Sequence, residues 1–223
     1  MLKSLSKRII FVSAVLLCVG CVADLVLIYI FGKQIPGYSQ LSCTLSSLGE
    51  SSSPVSVEVT IWSVILGIIF ILFGFSFRQV FFSAGKETSI AYLLIILYGI
   101  GENIASGIFK ADNINGILSL TAIVHNLLGG VGVAAILLLP LILKKQFPGK
   151  SFPGFYLFSI IVFAIGLISI SFFLLRVFNF ETAFFNSFKG LWQRIFLVDF
   201  YIYFIALAVV IIRKTNERLV ITK

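Results

Sequence analysis

The chain has 223 residues, 59% of them hydrophobic and 12% charged. A soluble domain carries about 25% charged residues, so this composition excludes a water-exposed globular protein. The formal net charge of +8 would suit nucleic acid. The basic residues, however, sit in short segments between apolar runs and form no basic face, which argues against nucleic-acid binding.

Six apolar runs reach the length of about 20 residues that a helix needs to cross a hydrocarbon core. They are Ile9–Phe31, Val59–Phe77, Ser89–Phe109, Ile117–Leu143, Phe155–Leu175 and Leu191–Ile212. The runs are continuously apolar, not alternating, which predicts helices instead of barrel strands. The expected fold is therefore an all-α polytopic bundle in one domain, with about six transmembrane helices.

The first run follows Lys3, Lys7 and Arg8, as a signal peptide would. It is too long for a signal core, no small-residue cleavage site follows, and it reads as a membrane helix. It carries Cys18, Cys21 and Asp24. Cys43 stands alone in the next loop, so neither a disulfide framework nor a four-cysteine zinc site is available. That loop, Gly32 to Glu58, contains the Ser-rich stretch Leu41–Pro54. The third run carries Glu102, Asn103 and Ser106, and the fourth carries His125 beside Asn126, followed by Gly129 and Gly132. After the fifth run the aromatic segment Arg176–Gly190 (RVFNFETAFFNSFKG) is expected to lie along the interface, and the sixth run carries Asp199 and Tyr203. No internal repeat relates the first three runs to the last three.

Orientation follows from Lys and Arg. With the N-terminus inside, the inner segments hold Lys3, Lys7, Arg8, Arg78, Lys86, Lys144, Lys145, Lys150, Arg213, Lys214, Arg218 and Lys223. The outer segments hold Lys33, Lys110, Arg176, Lys189 and Arg194. Twelve against five predicts cytoplasmic termini.

A charged group within a membrane helix costs about 2.5–3.5 kcal/mol on insertion scales, so each needs a reason. Asp24 and Glu102 lie seven residues before the outer ends of their runs, and His125 and Asp199 lie eight after theirs. At 1.5 Å per residue all four fall roughly 10–12 Å below the outer surface. This predicts a polar pocket in the outer half of the bundle, with Asp112, Arg194 and the Ser-rich loop at its mouth. The alternative is that these groups pair as buried glue, for example Arg194 with Asp199 or Asp112.

The run GYSQLSCTLSSLGESSSP, the FKAD after the third helix, His125, and the GLWQR opening the sixth together resemble a membrane family of bacteria and archaea. That family is catalogued as domain of unknown function 998. Its recurrent positions fall on Ser47, Leu48, Gly49, Pro54, Asp112, His125, Gln193 and Arg194. The acidic residue frequent before Leu-Gly is Ser47 here. The resemblance implies six helices, a functional outer face and a prokaryotic cytoplasmic membrane, and it supplies no activity.

Three readings stay open. In the first, the pocket binds a lipid headgroup or small molecule, or the helices dock a protein partner in the membrane. Arg194 would hold an anionic group, Gln193, Ser47 and the Ser-rich loop would hydrogen-bond it, and Asp24, Glu102, His125 and Asp199 would form the floor. In the second, an intramembrane lipid hydrolase or transferase uses His125 as base with Asp112 or Glu102. Ser46 or Ser47 as its nucleophile has no elbow motif to support it. In the third, a proton-coupled transporter relays protons through Asp24, Glu102 and His125. One histidine is few for a zinc site, and no phosphate loop is present, so no metal or cofactor is expected.

Overall fold

The structure, a computed structural model, describes residues 7–82, 85–114, 116–175 and 187–220. Six helices are long and apolar enough to cross a membrane. They are α1 (Lys7–Lys33), α2 (Ser56–Val80), α3 (Lys86–Ile108), α4 (Leu120–Gln146), α5 (Pro153–Leu175) and α6 (Lys189–Val220). Most extend a turn or less beyond the apolar runs, because polar flanking residues such as Lys86 and Lys33 continue the helix where the hydrocarbon stops. The exception at the start of α4 has a cause. Asn113–Ile114 and Ile117–Leu118 pair as a short antiparallel hairpin, and Ser119 then caps the helix by accepting from the Ala122 amide. Most of the interfacial segment 176–190 lies outside the described residues.

Each helix packs on the next, and α6 packs back on α1, so the six close into a ring. Large apolar side chains such as Val12, Val19, Ile61, Ile68, Leu127, Ile161 and Ile202 point outward from the ring. Such an exterior is unfavourable in water and suits hydrocarbon. The chain is thus an integral multi-pass membrane protein. Six spans put the start of α1 and the end of α6 on one face, here the terminal face. The connections 34–55 and 109–119 lie on the opposite, loop face.

The interior is divided by depth. Midway, Phe70, Tyr98, Phe204 and Tyr201 are fully or almost fully buried and meet ring to ring. The Phe70 and Tyr98 centroids are 4.8 Å apart, edge to face, a geometry worth about 0.5–1.5 kcal/mol beyond burial. Below this layer Phe73, Phe77, Phe81, Leu139 and Leu143 continue a dry core to the terminal face. Two polar pairs there bridge neighbouring helices, while Gln146 at the end of α4 keeps a buried Nε2 without a partner among the described residues. The Ser13 hydroxyl donates to Ser76 Oγ at 2.7 Å between α1 and α2, and Ser159 and Tyr203 share a 2.9 Å bond between α5 and α6.

Helix α3 is irregular where it matters. Gly99–Ala105 form a π-helical segment. Its wider turn is matched by two bonds spanning five residues, Asn103 Nδ2 to the Tyr98 carbonyl and Ser106 Oγ to the Gly101 carbonyl. The segment sits against α4 at closest approach. A Cβ on Gly101 would lie 2.4 Å from the Leu128 carbonyl oxygen, and one on Gly132 would lie 2.6 Å from the Glu102 nitrogen. Only glycines permit that contact, which brings the Glu102 and His125 helices together. Such π segments recur at functional sites.

Candidate functional site

Above the aromatic layer the bundle opens into a cavity of about 110 Å³, lined from α1, α2, α3, α4, α6 and the loop turn Ser46–Gly49. That volume suits a few waters or one small polar group, not a whole lipid. Asp24, Glu102 and His125 all line it, joined by Ser46 and Gln193. Three of the four ionisable groups expected at one depth therefore meet.

Asp24 is held rigidly. Trp62 Nε1 donates to its Oδ1 and the Tyr201 hydroxyl to its Oδ2, each at 2.7 Å. Glu102 is half-buried and has no hydrogen-bond partner among the described residues, and its Oε2 lies 2.8 Å from where a Cβ on Gly129 would stand. Among the described residues no lysine or arginine lines the cavity.

His125 has a determinable tautomer. Its Nδ1 lies 3.0 Å from the Ser106 carbonyl and 2.9 Å from the Phe109 carbonyl, the last carbonyls of α3. Carbonyls only accept, so Nδ1 carries a hydrogen, and in the neutral ring Nε2 then carries the lone pair. Ser46 Oγ lies 3.1 Å from Nε2 and donates to it when the ring is neutral.

The loop that delivers Ser46 is fastened at both ends. At its start, Arg194 donates through Nη1 to the carbonyls of Cys43 and Gly190, each at 2.9 Å, and through Nη2 to the Tyr38 hydroxyl at 2.7 Å. Gln193 Oε1 accepts from the Leu45 amide at 2.7 Å. A Cβ on Gly190 would lie 2.2 Å from the Cys43 carbonyl oxygen, so the loop rests directly on the opening turn of α6. At its other end, Asp112 accepts from the Ser51 amide at 2.8 Å and the Ser51 hydroxyl at 2.6 Å. Lys110 donates to the Ser56 carbonyl at 3.1 Å and also contacts Thr60 Oγ1.

Electrostatics at this rim follow from those bonds. The two Ser51 donors hold the Asp112 carboxyl below its usual range, with Lys110 adding to the effect. Partial burial lowers Lys110, and Asp112 opposes that shift. Burial and then the Asp112 charge raise Glu50. Burial raises Tyr38 against the pull of Arg194.

Several residues singled out in the sequence take other positions. Arg194 binds loop carbonyls and does not line the cavity, and it pairs with neither Asp199 nor Asp112. Asp112 commits both oxygens to Ser51. Ser47 turns away and donates to the Thr44 carbonyl at 2.7 Å, while its neighbour Ser46 faces His125. Asp199 is buried but does not line the cavity, and its Oδ2 has no partner. Helix α6 turns Tyr201 to the cavity instead, because residues two apart differ by about 200° around a helix. Trp62, Tyr98 and Tyr201 were not singled out by sequence reasoning, since aromatics in an apolar run look like any other core or lipid-facing residue.

With this geometry in place, the chain's relationships can be stated. It is a helical membrane protein with a polar cavity at one face. It matches the family described as Protein of unknown function (DUF998) over residues 18–210, and it belongs to that family. The match takes in all six helices, in whole or in most part, together with the loop and its two fastenings. Neither a curated protein nor a solved structure matches it.

Proposed function

We propose that this chain is a binding protein whose cavity takes up one small polar group, of a lipid headgroup or a free small molecule, from the outer leaflet. The observation that carries the reading is the convergence of Asp24, Glu102 and His125 from three helices on one cavity, with Glu102 left unpaired. Glue has its acceptors filled, and Glu102 has no hydrogen-bond partner among the described residues. Two carboxylates with no lysine or arginine among the lining residues favour a group that donates hydrogen bonds, such as an ammonium or hydroxyl, over an anionic one. The Lys and Arg asymmetry supports an outward-facing loop face, in a prokaryotic cytoplasmic membrane as the family resemblance implies. The aromatic layer below the cavity speaks against a proton path across the bundle.

The test is mass spectrometry of compounds co-purifying with wild type and with the Glu102→Gln, His125→Ala double variant, extracted separately into organic and aqueous phases. A compound depleted in the variant supports the reading, and its phase separates a lipid from a metabolite. Identical profiles from two equally folded proteins would count against it and turn attention to a protein partner in the membrane.

A further inference from the structure

We propose that Ser46 is a nucleophile activated by His125, and that the cavity performs acyl transfer or hydrolysis on carboxylic esters of lipids with neutral or cationic headgroups. The proposal rests on the binding reading above and adds a reaction to it.

The first support is the direction of the hydrogen bonds. His125 Nε2 offers its lone pair to the Ser46 hydroxyl at 3.1 Å, within the range a general base needs. In a nucleophile, base and orienter arrangement, the third group fixes the tautomer and stabilises the imidazolium. Here the Ser106 and Phe109 carbonyls do both. They end α3, whose C-terminus carries partial negative charge and favours a cation beside it. The second support is position. Ser46 begins the short turn Ser46–Gly49, half-buried at the cavity, on a loop fastened at both ends. Gln193 lies next to it, held through Oε1 by the Leu45 amide. Its amide N–H groups have no partner among the described residues and can donate to a carbonyl oxygen as it gains charge.

The chemistry balances with water as the second substrate. Ser46 Oγ attacks the ester carbonyl carbon while its proton passes to His125 Nε2. The bond to the leaving alkoxide breaks, and His125 returns the proton to that oxygen, releasing an alcohol and leaving the acyl group on Ser46. Water, or an acceptor alcohol, then attacks that acyl carbon with its proton going to Nε2. The C–Oγ bond breaks and Ser46 regains the proton. A phosphodiester is a poor alternative, because Asp24 and Glu102 face the cavity and no lysine or arginine among the described residues lines it to hold phosphate oxygens. The cavity has room for the reacting ester group alone, and the partly buried Ile28 and Phe31, which border it, offer apolar surface along which the acyl chain can leave it.

The experiment treats the purified full chain in detergent micelles with an alkyl fluorophosphonate and locates the adduct by intact and peptide mass spectrometry. The expected result is one adduct on Ser46, absent in Ser46→Ala and retained in Ser47→Ala. In His125→Gln it should form at least ~100-fold more slowly, the usual contribution of a general base. If His125→Gln does not fold, Ser46→Cys serves instead, and its introduced thiol should alkylate faster than Cys43 in the same molecule. An adduct that persists in Ser46→Ala, or an introduced thiol no faster than Cys43, overturns the proposal. So does a folded wild type that takes no adduct. In that last case, labelling at Ser63, which lines the cavity from α2, in a Ser63→Cys variant treated from the loop side shows that the cavity is open and that only the catalytic step fails. A Ser63→Cys variant that takes no label removes the binding reading as well.

Discussion

The two halves of this bundle use polar residues in opposite ways. Toward the terminal face, polar side chains between helices close on each other: Ser13 meets Ser76 and Ser159 meets Tyr203. Aromatic side chains fill much of the remaining space, with Gln146 Nε2 left over at the helix end. Toward the loop face, Asp24 and His125 are bonded but also border a cavity, and Glu102 borders it unpaired. A polar residue in a membrane helix is thus not a site by virtue of its presence. Unused hydrogen-bonding capacity facing a cavity is what separates a candidate site from interhelical glue.

The comparison can be broken at either end. The largest expected effect is in the aromatic layer. Phe70→Ala should lower stability by about 3–5 kcal/mol through the cavity it leaves, read as a fall in melting temperature in detergent. The same variant should keep any ligand at saturating concentration, since Phe70 does not line the cavity. Next comes the loop fastening. Arg194→Ala removes three charge-assisted bonds and leaves the Cys43 and Gly190 carbonyls open, for a loss of roughly 2–4 kcal/mol. It should also raise hydrogen exchange across residues 38–46, whereas Phe70→Ala should raise it throughout. Ser13→Ala should cost only ~1 kcal/mol, the net worth of an ordinary buried hydrogen bond. A much larger loss would mean that the terminal half is not simple glue.

The smallest expected effect is at the exposed rim. The Asp112 carboxyl titrates below its usual range, so its stabilising contribution is complete above its unfolded value of about 3.9. It is lost as pH falls through the lower folded value. Acidification below about pH 4 should therefore lower the protection of the Ser51 amide relative to its intrinsic exchange rate at that pH, and Asp112→Asn should show the lowered protection already at neutral pH. An unchanged Ser51 amide in both conditions would mean that the loop is held by Arg194 and Gln193 alone.

Much of the architecture was legible in the sequence because length and apolarity suffice to mark a membrane span. The depth of Asp24, Glu102 and His125 was legible for the same reason: counting residues from a span end fixes height. Rotation was not. Asp199 is buried away from the cavity, whereas Tyr201, two residues on, lines it, and no count of residues separates those two faces of α6. The loop failed for a related reason. Ser46 and Ser47 are adjacent and chemically identical, and only the turn Ser46–Gly49 decides that the first reaches His125. Arg194 was read as an anion-binding group because a lone arginine at a pocket mouth invites it. Its carbonyl partners Cys43 and Gly190 carry no side-chain signature that a sequence could reveal.

The central claim is that the loop-face cavity is open and electronegative, and one labelling experiment tests it directly. A Ser63→Cys variant, with Cys18, Cys21 and Cys43 replaced by Ser, is treated from the loop side with cationic and anionic methanethiosulfonates of similar size. The account predicts that the cationic reagent reacts at least ~10-fold faster, a difference of about 1.4 kcal/mol. That preference should shrink when Glu102→Gln is added, because one of the two lining carboxylates is gone. Equal rates for the two reagents, or no reaction with either in a folded protein, would contradict it.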